Sequence, residues 1–137
     1  MRGLVISFAL LHLPLAAVAG DEWDFAVPHK RRCSDGGQQQ MNACMATAEA
    51  SVNRRLNDAY KRLVVTLDDS SKLKKAQAAW LLFRDASCKY ESSGIVEGES
   101  LYPFAMSACR IDLAEKRLRD LKQYLQWNCN GCPPRSP

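Results

Sequence analysis

The side chains with most chemical potential in this sequence are six cysteines: Cys33, Cys44, Cys88, Cys109, Cys129 and Cys132. The last two form a Cys-Asn-Gly-Cys tetrad, a spacing shared by dithiol redox sites. Thioredoxin-like chemistry wants that spacing at a helix N-terminus within an α/β fold, where a thiolate is stabilised. Here the tetrad follows a helical segment and precedes Pro133-Pro134, so a structural staple is the expected role. Zinc needs four Cys or His ligands, and this pair supplies two. Haem attachment would need His after Cys132, where Pro133 stands. Only two His are present, and His29 has no obvious partner. Neighbouring acids such as Asp68-Asp69 sit where helix capping explains them. No nucleophile–base pair is visible. The chain is expected to be no enzyme and to need no metal or cofactor.

An even cysteine count takes its meaning from the compartment. Arg2, the apolar run Leu4 to Leu15 and Ala17-Val18-Ala19 read as a signal peptide, residues 1–19, cut after Ala19. His12 and Pro14 break the run, which is short for a membrane span. All six cysteines lie in the mature part, about 118 residues long, and imply disulfides in a small exported domain. The expected location is periplasmic or secreted, with no stable membrane insertion after signal cleavage.

Two long windows free of breakers must position these groups. After an irregular arm, residues 20–38, Met41, Met45, Ala48, Val52, Leu56, Ala59, Leu63 and Leu67 form one apolar helical stripe. Asp68-Asp69-Ser70-Ser71 stops this helix and can cap the next. The second helix, about 72–90, places Leu73, Ala76, Trp80, Phe83 and Ser87 along one side. Gln77, Leu81, Arg84 and Cys88 adjoin them. After a loop over 91–103, a third helix spans about 104–127, with Met106, Cys109, Leu113, Leu121 and Tyr124-Leu125 inward. Arg117 interrupts that stripe. Residues 128–137 form a Cys/Pro tail. The fold class is all-α: a three-helix antiparallel bundle, stapled by disulfides, over 39–127.

Topology narrows the fifteen pairings open to six cysteines. Cys88 and Cys109 face each other across the loop end of the hairpin. Cys33 can then fold back to Cys44, and Cys129 with Cys132 can close a small ring. The rival set joins Cys44 to Cys109 and Cys33 to Cys88.

The residues Cys33, Gln40-Met41-Asn42-x-Cys44 and Leu56-Asn57-x-x-Tyr60 resemble the opening of the LprI-type lysozyme-inhibitor domain family. So does Ala76-Gln77-x-x-Trp80-x-x-Phe83-Arg84-Asp85-x-x-Cys88, its most distinctive block. Gly98-Glu99-Ser100, Cys109 and Arg117-x-x-x-Leu121 follow in the family's order. The resemblance implies a small exported bacterial helical domain, with lysozyme inhibition attached to at least one lipoprotein member. This chain lacks the lipoprotein cysteine after its cleavage site, so it is expected to be soluble after export.

The block residues Asn57, Tyr60, Gln77, Trp80, Arg84 and Asp85 are expected to be structural. Trp80 would lie in the core, Arg84 would pair with a carboxylate such as Asp112 or Glu115, and Gln77 with Asn57. The charge of +4 is mild for a nucleic-acid binder. Lys72-Lys74-Lys75 and Arg54-Arg55 read as solvated helix faces, and no nucleic-acid partner is expected. Glu91, Glu97 and Glu99 are the only charges between Lys89 and Arg110. With Gly98, Ser100 and Tyr102 they mark the expected partner-binding loop, where a hydroxyl and an aromatic could enter a sugar-binding cleft. The expected function is a protein-binding module of the bacterial envelope, inhibiting a lysozyme. The alternatives are a non-inhibitory periplasmic structural or stress protein, or a binder of anionic envelope polymers.

Overall fold

The computed structural model describes residues 32–136. The expected signal peptide and most of the expected arm lie outside the described residues. Three helices follow one another: α1 Gln38–Thr66, α2 Ser71–Glu91 and α3 Tyr102–Leu125. They run up, down and up, so α1 and α3 are parallel and α2 is antiparallel to both.

Local chemistry sets the ends. The Gly37 N–H donates to Gln40 Oε1 (2.6 Å) at the start of α1, satisfying one otherwise orphaned donor. Asp69 accepts the Ser71 backbone N–H (2.8 Å) and the Ser71 hydroxyl (2.9 Å) at the start of α2. Those two bonds, the backbone one first, hold the Asp69 carboxyl below its usual range. Pro103 occupies the first turn of α3, where its missing N–H breaks no helical bond.

The α1 stripe packs as its period dictates. Met45, Val52, Leu56, Ala59 and Leu63 are buried, with Ala48 and Leu67 partly so. They meet Ala108, Ile111, Ala114, Leu118 and Leu121 of α3. A single inward stripe for α3 is therefore too narrow. This helix lies between α1 and α2 and is covered on two sides, so its buried arc also takes in Ser107, Cys109 and Arg117.

The inward face expected for α2 is corrected more strongly. Only Gln77 and Cys88 are buried, Leu73 and Trp80 are partly so, and Ala76 is exposed. Phe83, expected inward, is 58% exposed, because α2 turns its Gln77–Arg84–Cys88 side to α3. Its attachment there is covalent and polar at Cys88 and Gln77, with Leu73 and Trp80 adding its apolar contact to the core.

The tail folds back over the other end of the bundle. Leu67 and Arg135 form an isolated antiparallel bridge. The Ser136 N–H donates to Thr66 O and the Asp68 N–H to Pro134 O, both at 3.2 Å. The Arg135 guanidinium donates to the Tyr124 and Leu125 carbonyls at the end of α3, where the Tyr124 carbonyl also accepts the Trp127 N–H (3.2 Å).

Candidate functional site: the stapled loop

The structure pairs Cys33 with Cys44, Cys88 with Cys109 and Cys129 with Cys132, leaving no free cysteine. The rival topology is thereby excluded. The tetrad at 129–132 is a closed ring, with Gly131 supplying its positive φ of 87°.

Two of these bonds lie at the end of the bundle that carries the connection between α2 and α3. The Cys88–Cys109 disulfide, Cα atoms 5.5 Å apart, joins the two helices at the base of the loop. Within the loop, the Glu99 N–H donates to Val96 O and the Tyr102 N–H to Glu99 O, each at 3.0 Å. Two consecutive turns result. Gly98 lies at φ 102°, a left-handed conformation that favours glycine. Asn42 of α1 donates its side-chain N–H to Ser100 O (2.8 Å), which ties the loop to a second helix. The loop is thus held by a covalent bond on one side and a side-chain anchor on the other.

Its side chains divide into two sets. Glu97, Gly98, Glu99 and Ser100 are exposed, and Val96 (67% exposed) and Leu101 (45%) stand with them. Two members of the expected site are directed elsewhere. Tyr102 is the first residue of α3 and packs partly buried against Cys88, Met106 and Cys109, so its ring is held by the bundle. Glu91 is the last residue of α2 and lies half-buried over a hollow of about 210 Å3 lined by Ile95, Leu101, Phe104 and Ala108. Its Oε2 is buried without a hydrogen-bond partner. Burial, then the nearby Asp112 carboxylate, raises the Glu91 pKa above its ordinary value. The exposed acidic pair is therefore Glu97 and Glu99.

The block residues form the seam between α2 and α3, with partners other than those expected. Arg117 Nε donates to Gln77 Oε1 (3.0 Å), both residues being buried. Trp80 is partly buried beneath two guanidiniums, Arg84 at 5.4 Å and Arg117 at 6.0 Å from its ring centre. Arg117 also lies 5.9 Å from the Tyr124 ring. Arg84 donates to the neighbouring Asp85 (2.8 Å) rather than to Asp112 or Glu115. Those acids pair with Lys116 and Arg55 instead. Asn57 is exposed on α1 and does not meet Gln77, whereas Tyr60 packs partly buried on the core.

Sequence reasoning missed a second polar cluster. Glu49 of α1 accepts the Ser107 hydroxyl (2.8 Å) and lies 4.0 Å from Arg110 of α3, which in turn reaches Asp85 of α2 (3.8 Å). One arginine so touches carboxylates on both neighbouring helices. For the buried Arg117–Gln77 pair, by contrast, the available signal was Arg117 itself. A cation interrupting an apolar stripe, opposite a helix carrying Gln77 and Trp80, needs a buried partner.

Residues 31–121 match the protein family described as "Lysozyme inhibitor LprI". This chain belongs to the LprI family. The match takes in the loop, the α2–α3 seam and two of the three disulfides. The family description is of an inhibitor, which places the chain among binding proteins rather than enzymes. An uncharacterised protein of Rhizobium meliloti is 29% identical over 105 residues, covering 65% of this chain and 74% of that protein. The crystal structure of a DUF1311 family protein from Pseudomonas putida is similar at a TM-score of 0.59 and 26% identity. That match covers 66% of this chain and 95% of the other.

A wider cleft, about 600 Å3, lies at the tail end between Leu67, Leu73, Tyr124, Trp127 and Pro133-Pro134. Its tail wall falls beyond the residues this chain shares with the family.

Proposed function

We propose that this LprI-family chain is an exported module that binds and inhibits a lysozyme through the loop between α2 and α3. The observation that carries the reading is an acidic pair, Glu97 and Glu99, exposed on a loop fixed at its base by Cys88–Cys109. A pre-formed loop loses little conformational entropy on docking. The rest of the chain is basic, yet surface charges more than about 8 Å apart are largely screened at physiological salt. A cationic enzyme approaching this end meets the two carboxylates first. Val96 and Leu101 beside them offer apolar area for the contact. Export, by a signal peptide cleaved after Ala19, is part of the same proposal and agrees with the three disulfides.

The test is a cell-wall lysis assay in which purified mature protein is titrated against a cationic lysozyme. Inhibition is expected. Glu97→Lys with Glu99→Lys should slow association, most clearly at low salt, while leaving helix packing untouched. Inhibition unaffected by this double change would move the site away from the loop. No inhibition at large protein excess would favour a non-inhibitory envelope role.

A further inference from the structure

The bundle leaves one helical face with a composition that the loop does not explain. Facing away from α3, α2 presents Ala79, Leu82, Phe83, Ala86 and Tyr90, all exposed. Leu82 is 75% exposed and Tyr90 78%. The spacing 79, 82, 83, 86 and 90 keeps them on one side of the helix. Three lysines, Lys72, Lys75 and Lys89, share that side and are exposed. The acids of α2 lie elsewhere: Asp85 pairs with Arg84 and approaches Arg110, and Glu91 lies half-buried at the loop hollow. Among the described residues nothing packs on this face. It is an amphipathic surface of large apolar side chains and positive charge, with Asp69 near Lys72 at its edge.

We propose that the outward face of α2 docks on an anionic lipid bilayer surface. Leu82, Phe83 and Tyr90 enter the interface while Lys72, Lys75 and Lys89 meet phosphate headgroups. Charge decides among the occupants. A second copy of this chain would bring the same lysines against themselves, and a cationic protein would be repelled in the same way. A soluble polyanion would satisfy the lysines and leave the apolar ridge in water. An anionic bilayer satisfies both, since aromatic and leucine side chains enter the headgroup boundary while lysines stay at its surface. No described helix is long and apolar enough to cross a membrane, so α2 would lie on the surface. The face is distinct from the acidic loop, and the proposal does not depend on lysozyme inhibition.

The experiment is co-sedimentation of the mature, fully oxidised protein with vesicles. One set is phosphatidylcholine alone; the other contains equal parts phosphatidylcholine and phosphatidylglycerol. Partitioning is expected only onto the anionic vesicles, and should weaken with salt. Lys72→Glu, Lys75→Glu and Lys89→Glu together should reduce it by on the order of a hundredfold, from about 1 kcal/mol per lysine. Leu82→Ser with Phe83→Ser should reduce it at unchanged net charge. Both variants alter exposed positions, and circular dichroism melts confirm that they fold. Equal binding to neutral vesicles would overturn the proposal, as would anionic binding indifferent to Leu82→Ser with Phe83→Ser. The latter is the behaviour of a plain polyanion binder. A solution dimer abolished by that same double change would also overturn it, assigning the face to a second copy.

Discussion

The helix pair α1–α3 and the helix α2 are held by different physics. Between α1 and α3 the contact is apolar and continuous, from Met45 and Ala108 at one end to Leu63 and Leu121 at the other. Against α3, α2 contributes one disulfide, one buried Arg–Gln hydrogen bond, a tryptophan under two guanidiniums and an arginine–carboxylate contact, and only Leu73 and Trp80 of its apolar side chains pack on the main core. Apolar burial is non-directional, so it fixes the α1–α3 pair through the sum of many weak contacts. Polar and covalent links are few and directional, and each fixes position along the helix. A helix attached in this way can keep its outer face apolar, because little of its own apolar surface is needed inside.

The largest expected effect falls in the apolar pair. Ile111 is fully buried, and Ile111→Ala should lower stability by about 2–5 kcal/mol in denaturant titration. A smaller loss would mean that α1 and α3 close over the cavity and are less tightly fitted than they look.

Next comes the covalent link. Cys88→Ala with Cys109→Ala removes a loop closure spanning 21 residues and should cost about 3 kcal/mol. Hydrogen exchange separates the two regions in this variant. Amides of α2 should lose protection while those of α1 and α3 keep theirs. Uniform loss across all three helices would show that α2 is as much a part of the core as the other two.

The polar seam should respond less. Arg117→Ala leaves Gln77 buried without its partner, and about 1–3 kcal/mol should be lost. Thermal melts against Gln77→Ala and the double variant would measure the coupling of the pair. Additive losses would deny any coupling.

The smallest effect concerns Glu91, where α2 enters the loop. Its folded-state pKa lies above the unfolded value, through burial first and Asp112 second. The folded chain therefore binds the proton more tightly. Stability from this group is full below the unfolded carboxylate pKa and is lost as pH rises through the raised one. Glu91→Gln should raise the melting temperature slightly at neutral pH, and the gain should vanish in acid. A gain unchanged by acid would assign it to packing rather than charge.

How legible each element was follows from how many sides it buries. The α1 stripe at Met45, Val52, Leu56, Ala59 and Leu63 could be read directly, because this helix turns one face to one neighbour. Ala108, Ile111, Ala114 and Leu118 escaped the α3 stripe because the central helix is covered from two directions. Hydrophobicity places Phe83 inward, yet α2 is oriented by Gln77 and Cys88, which leaves Phe83 in solvent. At the loop, the charges at Glu97 and Glu99 were legible, but the withdrawal of Glu91 and Tyr102 into helix ends was not.

Three helices, their breaks, the α1 stripe, the family and a cysteine order that narrows the pairing can all be read along the chain. These follow from spacing along one chain, where period, capping and loop length act locally. Tertiary structure alone decided that Arg117 meets Gln77, that Arg110 reaches Glu49 and Asp85, and that Arg135 closes the end of α3. Each joins residues whose approach is set by the rotation of one helix about its axis against another. A buried arginine carries no local sign of which neighbour receives it, because its partner is selected by packing.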